Sequence, residues 1–420
     1  MSAADKALPC EACEPTPARL PMLGLLALAC GAFITVLTEC IVAGLLPAMS
    51  RDLGISEAAV GQLTTVYALG SLLTAIPLVK LTSHLPRRPL LMAAILGFAL
   101  VNSAMAWTDS YTLMLLSRFL GGVAAGLLWA LLAGYASRMV APQLQGRAIA
   151  VAMVGTPLAM SIGIPAGTWL SQLIGWRWVF GLMSILSVAL VGWSRAALPP
   201  VPGLPARHGG SLREVLARPG LLAVYVVMLL AVLAHNVLYT YIAPFVALSG
   251  SQGTLDRLLL LFGVSSVVSI AVTGALIDRW MRALIALGMA LFLLAAVAMA
   301  LWPASQAVLV GAVVVWGLGF GGAATLIQTA VARRSGQQQD LGQSLVVVGW
   351  NLAIAGGGVV GGVMLKSGGA ALLPWALVGL LMVTLWASNF IIGKVALQEF
   401  PAILLAALRI IFAGAFLAPI

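Results

Sequence analysis

Apolar runs of about 20 residues, enough to cross a hydrocarbon layer roughly 30 Å thick as helices, recur along nearly the whole chain. Backbone groups in lipid must find their hydrogen bonds inside the segment, so such runs fit membrane-crossing helices and little else. About twelve precede residue 395 on this length criterion. They lie near 21–47, 59–80, 89–107, 111–138, 147–170, 177–198, 219–247, 257–277, 283–302, 306–332, 342–365 and 371–393. The composition, 62% hydrophobic and 8% charged over 420 residues, falls far below the roughly 25% charged residues of soluble domains. Most of the surface therefore faces lipid, and the expected fold class is an all-α membrane protein.

A net charge of +10 raises the question of a polyanionic partner, which the placement of the charge answers. With the amino terminus inside, cytoplasmic segments hold Lys6, Arg19, Lys80, Arg87, Arg88, Arg138, Arg147, Arg195, Arg207, Arg213, Arg218, Arg279, Arg282, Arg333 and Arg334, while external loops hold Arg51, Arg177, Arg257 and Lys366. That asymmetry is the positive-inside pattern of a multi-pass protein with a cytoplasmic amino terminus, and it leaves no need for nucleic acid. Cys10 and Cys13 form a lone CxxC in the leader, without the second pair that a zinc site needs. No metal and no cofactor is expected. GLGFGG at 317–322 matches a dinucleotide fingerprint, with Asp340 downstream, but it lies inside an apolar run with no strand before it.

The longest polar, proline-rich interruption, at 199–218, follows six runs and precedes six more, and reads as a cytoplasmic linker between halves 21–198 and 219–380, after a leader at 1–20. The halves resemble each other at a near-constant offset: GLLP at 44–47 corresponds to IAPF at 242–245, and PLAMSIGIPAG at 157–167 to NLAIAGGGVVGG at 351–362. Two such repeats place a substrate site near the bilayer midplane between them and allow alternating access.

Of the acidic residues, Glu39 alone lies deep within a run. An intramembrane carboxylate costs about 2.5–3.5 kcal/mol on insertion scales, and such groups serve ions, protons or cationic ligands, although a neutral Glu hydrogen-bonded between helices is also compatible with the position. Arg118 enters from the same side to a similar depth, about 12 Å at 1.5 Å per residue. Two arrangements follow: Arg118 pairs with Glu39 as a protonation-sensitive switch, or it binds helix carbonyls instead. In the seventh run His235, Asn236, Tyr239 and Tyr241 offer a cavity wall, with Asn236 opposite Glu39 in pseudo-symmetry. Tyr belongs equally to interfacial belts. Gln328, Trp350 and Asn351 are further candidates for the same wall, and His235 alone reads as packing.

TECIVAGLLPAMSRDLGIS, SRFLGGVAAGLLWA around Arg118, GTPLAMSIGIPAG with GWRWVF, and LIDRWMR at 276–282 together resemble the twelve-span drug:proton antiporter branch of the major facilitator superfamily, in its arabinose-efflux and chloramphenicol-resistance-like group, over roughly 20–380. The resemblance implies a twelve-span fold of two six-helix repeats. It implies proton coupling at Arg118, export determinants at Gly155, Pro157, Gly163 and Gly167, and a cytoplasmic gate loop at Asp278, Arg279 and Arg282. In the first half the corresponding loop, LVKLTSHLPRRPLL, keeps the basic pair Arg87 and Arg88 but lacks the aspartate, which puts a symmetric charge latch in doubt. Residues 385–419 instead resemble the opening of a drug/metabolite transporter superfamily protein. This implies a junction near 380 and a fused tail at 381–420 that completes the twelfth span. A partial thirteenth segment at 402–420, interrupted by Arg409, crosses, lies at the interface or destabilises the chain. The expectation is a monomeric, proton-coupled secondary transporter in the inner (plasma) membrane that exports small organic molecules of drug, sugar or nucleoside type. Nutrient uptake and an inactive gene fusion are the alternatives. No recurring nucleophile, base and orienting group suggests an enzyme.

Overall fold

The computed structural model describes residues 20–203, 211–250 and 255–396. The Cys10–Cys13 pair and the tail from 397 onward, with its thirteenth segment, lie outside them. Among the described residues all regular structure is helical, and ten helices are long and apolar enough to cross a membrane. In chain order they are α1 (Met22–Leu53), α2 (Glu57–Leu81), α3 (Arg87–Trp107), α4 (Tyr111–Arg138), α5 (Pro142–Ile174), α6 (Trp176–Ala197), α7 (Leu221–Tyr239), a long helix Leu255–Leu301, α10 (Gln306–Arg334) and α11 (Gln339–Gly368). The last helix, α12 (Leu373–Ala396), follows as a shorter apolar segment.

The long helix cannot be one crossing, because its 47 residues would span about 70 Å at 1.5 Å per residue. Its backbone leaves helical geometry at Trp280 (φ −122°, ψ 25°). Two arms result, α8 (255–279) and α9 (281–301). They fold back on each other: Gly317 of α10 lies against the Phe262 carbonyl of α8, and its neighbour Gly319 lies against Gly288 and Phe292 of α9. The sequence predicts a loop from 278 to 282; the chain instead turns at a single residue.

Local chemistry sets the other boundaries. Ser56, Ser110 and Ser305 cap α2, α4 and α10 by accepting hydrogen bonds from Ala59, Leu113 and Val308 N–H groups. Gly54 (φ 64°) and Gly175 (φ 87°) supply the positive φ that lets α1 and α5 end in tight turns. In α5, Pro157 and Pro165 bracket a π-helical turn at Ala159–Gly163, since a proline withholds an N–H and crowds the preceding turn. Helix α7 ends at Tyr239, and a separate short helix, Ile242–Ala247, continues the path that the sequence reads as one run.

Close helix packing repeats between the halves. Gly122 and Gly126 of α4 sit over the carbonyls of Tyr67 and Ser71 in α2, and Gly317 and Gly321 of α10 sit over those of Phe262 and Ser266 in α8. A shift of 195 residues turns 67, 71, 122 and 126 into 262, 266, 317 and 321. Small residues at these crossings let backbones approach, the main source of helix cohesion in lipid.

The apolar core divides in a way that defines the shape. One cluster unites both halves, joining Leu28, Leu128, Met139 and Ile149 to Val215, Tyr225, Met228, Val331 and Leu341. The other two stay within a half: Leu37, Ile41, Met105 and Phe180 in the first, Val237, Phe245, Phe292 and Trp316 in the second. The shared core lies at the end bearing Arg87, Arg138, Arg147 and Arg333, here the basic end. Toward the other end the halves pack separately, so a cleft opens between them.

Candidate functional site

Thr38 and Glu39 on α1, Leu63 and Tyr67 on α2, and Arg118 on α4 converge on the first half's side of the cleft. Arg118 is 2% exposed and spends its fork on main chain: Nε donates to Leu63 O (3.1 Å), Nη1 to Thr38 O (2.5 Å) and Nη2 to Glu39 O (2.9 Å). Its guanidinium carbon stands 4.5 Å from the Tyr67 ring centroid, and the Tyr67 hydroxyl donates to Thr35 O (3.3 Å). Asn102 Nδ2 donates to Thr38 Oγ1 (3.1 Å), leaving Asn102 Oδ1 buried without a partner. Arg118 thus reaches the depth of Glu39, as the sequence suggests. Of the two arrangements open to it, the structure shows the binding of helix carbonyls. Among the described residues no ion pair joins Arg118 to the Glu39 carboxylate, which is half-buried. The reason is geometric: a planar five-donor group tucked between three helices bridges several carbonyls at once.

The second half's candidates separate on inspection. Asn236 is buried against Gly357, and its Nδ2 donates to Val232 O of its own helix (2.8 Å); Asn351 does the same to Val347 O (2.9 Å). Tyr241 is a strut whose ring lies on Gly361 and whose hydroxyl donates to Gly358 O (2.8 Å). Gln328 is buried with Oε1 unpartnered, while its carbonyl accepts from Gln343 Nε2 (2.9 Å). Tyr239 and Trp350, both read from the sequence as parts of one wall, remain half-buried and belong to an aromatic group whose other rings, Phe262, Trp316 and Phe320, the sequence did not single out. His235 stacks on Phe320 with centroids 3.9 Å apart and planes 2° apart, and Phe262 and Trp316 complete the group. These aromatics are spread over α7, α8, α10 and α11, so only the fold brings them together.

At the basic end two ionic clasps join the halves. Arg87 and Asp340, 1% and 2% exposed, meet at 2.7 Å (Nε to Oδ2), and Arg138 reaches Asp340 Oδ1 at 3.0 Å. Gly134 leaves the room: a Cβ there would come within 2.7 Å of Asp340 Oδ1. In the second clasp Asp278 accepts from the N–H groups of Gly146 (2.8 Å) and Arg147 (3.2 Å) near the start of α5, where the helix dipole favours a carboxylate. Arg333 reaches Asp278 Oδ1 at 2.7 Å. Arg279 lies over the Trp280 ring, 5.7 Å from its centroid, and Arg279 and Arg282 are exposed, outside the clasp. Arg88 donates to the Arg195 carbonyl within its own half. The aspartate absent from the first loop is thus replaced by Asp340 from the opposite half, which the sequence presented only as part of a rejected nucleotide motif.

The remaining singled-out positions fit α5 to α1. A Cβ at Gly155 would collide with Ala29 O, one at Gly163 would meet the Phe33 ring at 2.8 Å, and one at Gly167 the Ile41 Cδ1 at 2.7 Å. The Pro157 carbonyl accepts from Ser161 Oγ (2.7 Å) within the same helix. GWRWVF clips the end opposite the basic one, with Arg177 paired to Asp52 (3.2 Å) and Asp109 (2.6 Å) and Trp176 Nε1 donating to Asp52 (3.1 Å).

Comparisons with known proteins agree with this geometry. The family model for the Major Facilitator Superfamily matches residues 28–339. A chloramphenicol efflux pump of Mycobacterium tuberculosis is 32% identical over 370 residues, 86% of this chain and 89% of that protein. A purine ribonucleoside efflux pump of Escherichia coli K12 is 28% identical over 349 residues, 83% and 88% of the two chains. Among solved structures, the proton:xylose symporter XylE superposes with a TM-score of 0.72 at 12% identity, covering 88% of this chain and 95% of that one. FucP in the outward conformation gives 0.72 at 16% identity, covering 89% and 99%.

Proposed function

The chain belongs to the Major Facilitator Superfamily, and from that premise we propose that it exports small organic molecules in exchange for protons across the plasma membrane. It is a secondary transporter rather than an enzyme. Curated relatives that cover most of its length are pumps for chloramphenicol and purine ribonucleosides, which supports export of a compact organic molecule. We read the architecture as twelve spans in two repeats, with α8 and α9 as separate crossings and α12 as the last; the 195-residue recurrence of the glycine contacts supports this. The basic end is cytoplasmic by the positive-inside bias, so the amino terminus is inside and the cleft faces outward.

The observation that carries the reading is the split core, one cluster shared at the basic end and one private to each half beyond it. A protein closed at one end and parted at the other is one state of an alternating-access cycle. Glu39 is half-buried beside the Arg118 anchor, which holds its carbonyl, and we assign it the proton. Protonation removes the carboxylate's charge beside a fixed guanidinium, and loss of that attraction is the differential interaction that two-state coupling requires. Asp340 and Asp278 hold the basic end shut until substrate and proton exchange favours the opposite state. The 381–420 tail, read as a graft from another transporter family, completes the twelfth span.

The test is efflux of chloramphenicol, inosine, xylose and a cationic dye from cells expressing the chain, with and without a protonophore, beside Glu39→Gln. Protonophore-sensitive efflux that the variant lacks, at equal membrane abundance, is expected. Accumulation instead of efflux would establish uptake.

A further inference from the structure

The linker at 199–218 carries the prolines and charges of a solvated connection, yet Val201 and Val215 are 8% and 0% exposed and belong to the shared core at the basic end. A free tether would leave such side chains in water, so this one is docked, and both of its arms end on the Arg87–Asp340 clasp. The first arm lies on the first half. Tyr135 donates its hydroxyl to Pro199 O (2.5 Å), and the Arg87 N–H, left free at the start of α3, donates to Val201 O (2.8 Å). Gly203 closes on the carbonyls of His84 and Leu85, where a Cβ would collide with both. The same loop holds the Arg87 side chain, whose Nη1 donates to Thr82 O (3.0 Å) and Leu85 O (3.3 Å). This arm therefore backs the loop that aims Arg87 at Asp340.

The second arm is the short helix Leu212–Leu216, and it grips the loop before α11. Glu214 Oε2 accepts from the Ser211 N–H (3.4 Å) and from Gln338 Nε2 (3.1 Å). Gln338 Oε1 is buried without a partner, so this amide is held through its nitrogen. Two residues earlier Gly336 makes a left-handed turn (φ 56°) under Arg218, where a Cβ would come within 2.7 Å of Arg218 Nη1. Directly beyond this grip the chain crosses to the first half: Gln339 Oε1 accepts from Ser137 Oγ (2.9 Å), and Asp340 meets Arg87 and Arg138. Two residues reach at most about 7 Å, so a shift of Gln338 is passed on to Asp340. The Asp278 clasp is built differently, from the start of α5 and Arg333.

We propose that the linker braces the gate: its buried first arm fixes Arg87, and its exposed second arm, through Glu214 and Gln338, positions the loop that delivers Asp340 to Arg87 and Arg138. Glu214 and Gln338 act through Asp340 and are positioning residues. The two arms differ in strength. The first is held by buried side chains and main-chain hydrogen bonds, whereas the second rests on a contact to an exposed carboxylate, which contributes little by itself. The second arm is therefore the one that releases when the halves part at the basic end. The inference rests on the reading of the Asp340 clasp as a gate, and it places one control of alternating access in the cytoplasm, outside both helix bundles.

The test uses the full chain in lipid nanodiscs, with its four native cysteines replaced by serine and spin labels at Lys80→Cys and Arg279→Cys. The readout is the ratio of long to short distances between the halves. Gln338→Glu sets two carboxylates against each other and is expected to raise that ratio about fivefold, the effect of losing one surface contact and gaining a repulsion. The exchange of Glu214→Gln with Gln338→Glu rebuilds the contact with donor and acceptor reversed and keeps the capping box, because Gln serves there as well as Glu. It is expected to bring the ratio back to within about twofold of the labelled parent. Recovery by the exchange separates positioning from a general loss of fold. The inference is overturned if Gln338→Glu leaves the ratio unchanged while Asp340→Asn raises it, or if the exchange fails to restore it. A ratio that Asp340→Asn also leaves unchanged removes the gate reading, and the brace with it.

Discussion

Arg118 shows how one side chain can tie three helices together. Its three donors satisfy carbonyls on two other helices while its side chain is buried, so Arg118→Lys, with a single ammonium, leaves carbonyls orphaned and costs about 3 kcal/mol of stability. That loss should appear as a lower unfolding temperature in detergent, whereas Glu39→Gln should leave the unfolding temperature near the wild-type value while removing proton-driven efflux. The contrast separates an anchor from a carrier. The depth match between Glu39 and Arg118 was legible because rise per residue is fixed in a helix. Whether the guanidinium would choose carboxylate or carbonyl was not, since that depends on how three helices aim their main chain.

At the scale of elements, glycine positions decide how closely helices can cross. Gly122→Ala would put a Cβ into the Tyr67 carbonyl, forcing α2 and α4 apart at a cost of about 1–3 kcal/mol, measurable as reduced thermal stability with the helical content retained. The linker behaves differently because it is in water. Ser211 and Glu214 form a capping box on the short helix Leu212–Leu216, and Gln338 Nε2 donates to Glu214 Oε2 at 3.1 Å. The Gln338 hydrogen bond first, then the Ser211 amide, hold the Glu214 carboxyl below its usual value. A depressed carboxylate stabilises its contacts above the ordinary carboxylate pKa and loses them as pH falls through the lowered value. Amide exchange across 211–217 should therefore accelerate on acidification in the wild type and be fast and pH-insensitive, after correction for intrinsic rates, in Glu214→Ala. The sequence exposed this linker through its prolines and charges. It marked a break at 278–282 through the charges of Asp278, Arg279 and Arg282, but not that the chain reverses there at the single residue Trp280.

For the whole molecule, the decisive elements are the two clasps at the basic end. Removing one member of a buried ion pair strands the other charge, at a cost of about 3–5 kcal/mol, and Asp340→Asn does so to both Arg87 and Arg138. Because Asp340 joins the halves, much of that cost falls on the closed basic end rather than on folding. Spin labels at Lys80→Cys and Arg279→Cys, one on each half, should show a longer separation gaining population in Asp340→Asn. An unchanged distance distribution would mean that the clasp does not hold the gate. The unequal design, one clasp on Asp278 at a helix start and one on Asp340 between two arginines, could not be read from the first loop, which lacks its own acid.

The sequence alone determined that this chain lives in lipid, how many apolar segments it offers, which end carries the positive charge and which acid lies among apolar residues, because hydrophobic length, charge bias and the cost of burying a carboxylate are properties of short stretches of chain. The superfamily was legible for the same reason, in compact motifs. Tertiary structure decided what comes from distant segments meeting: the carbonyl cradle of Arg118, the exchange of a missing loop aspartate for Asp340, the aromatic wall gathered from four helices, and the end at which the halves part. Those are settled by packing, where a side chain's role is fixed by the surfaces it meets.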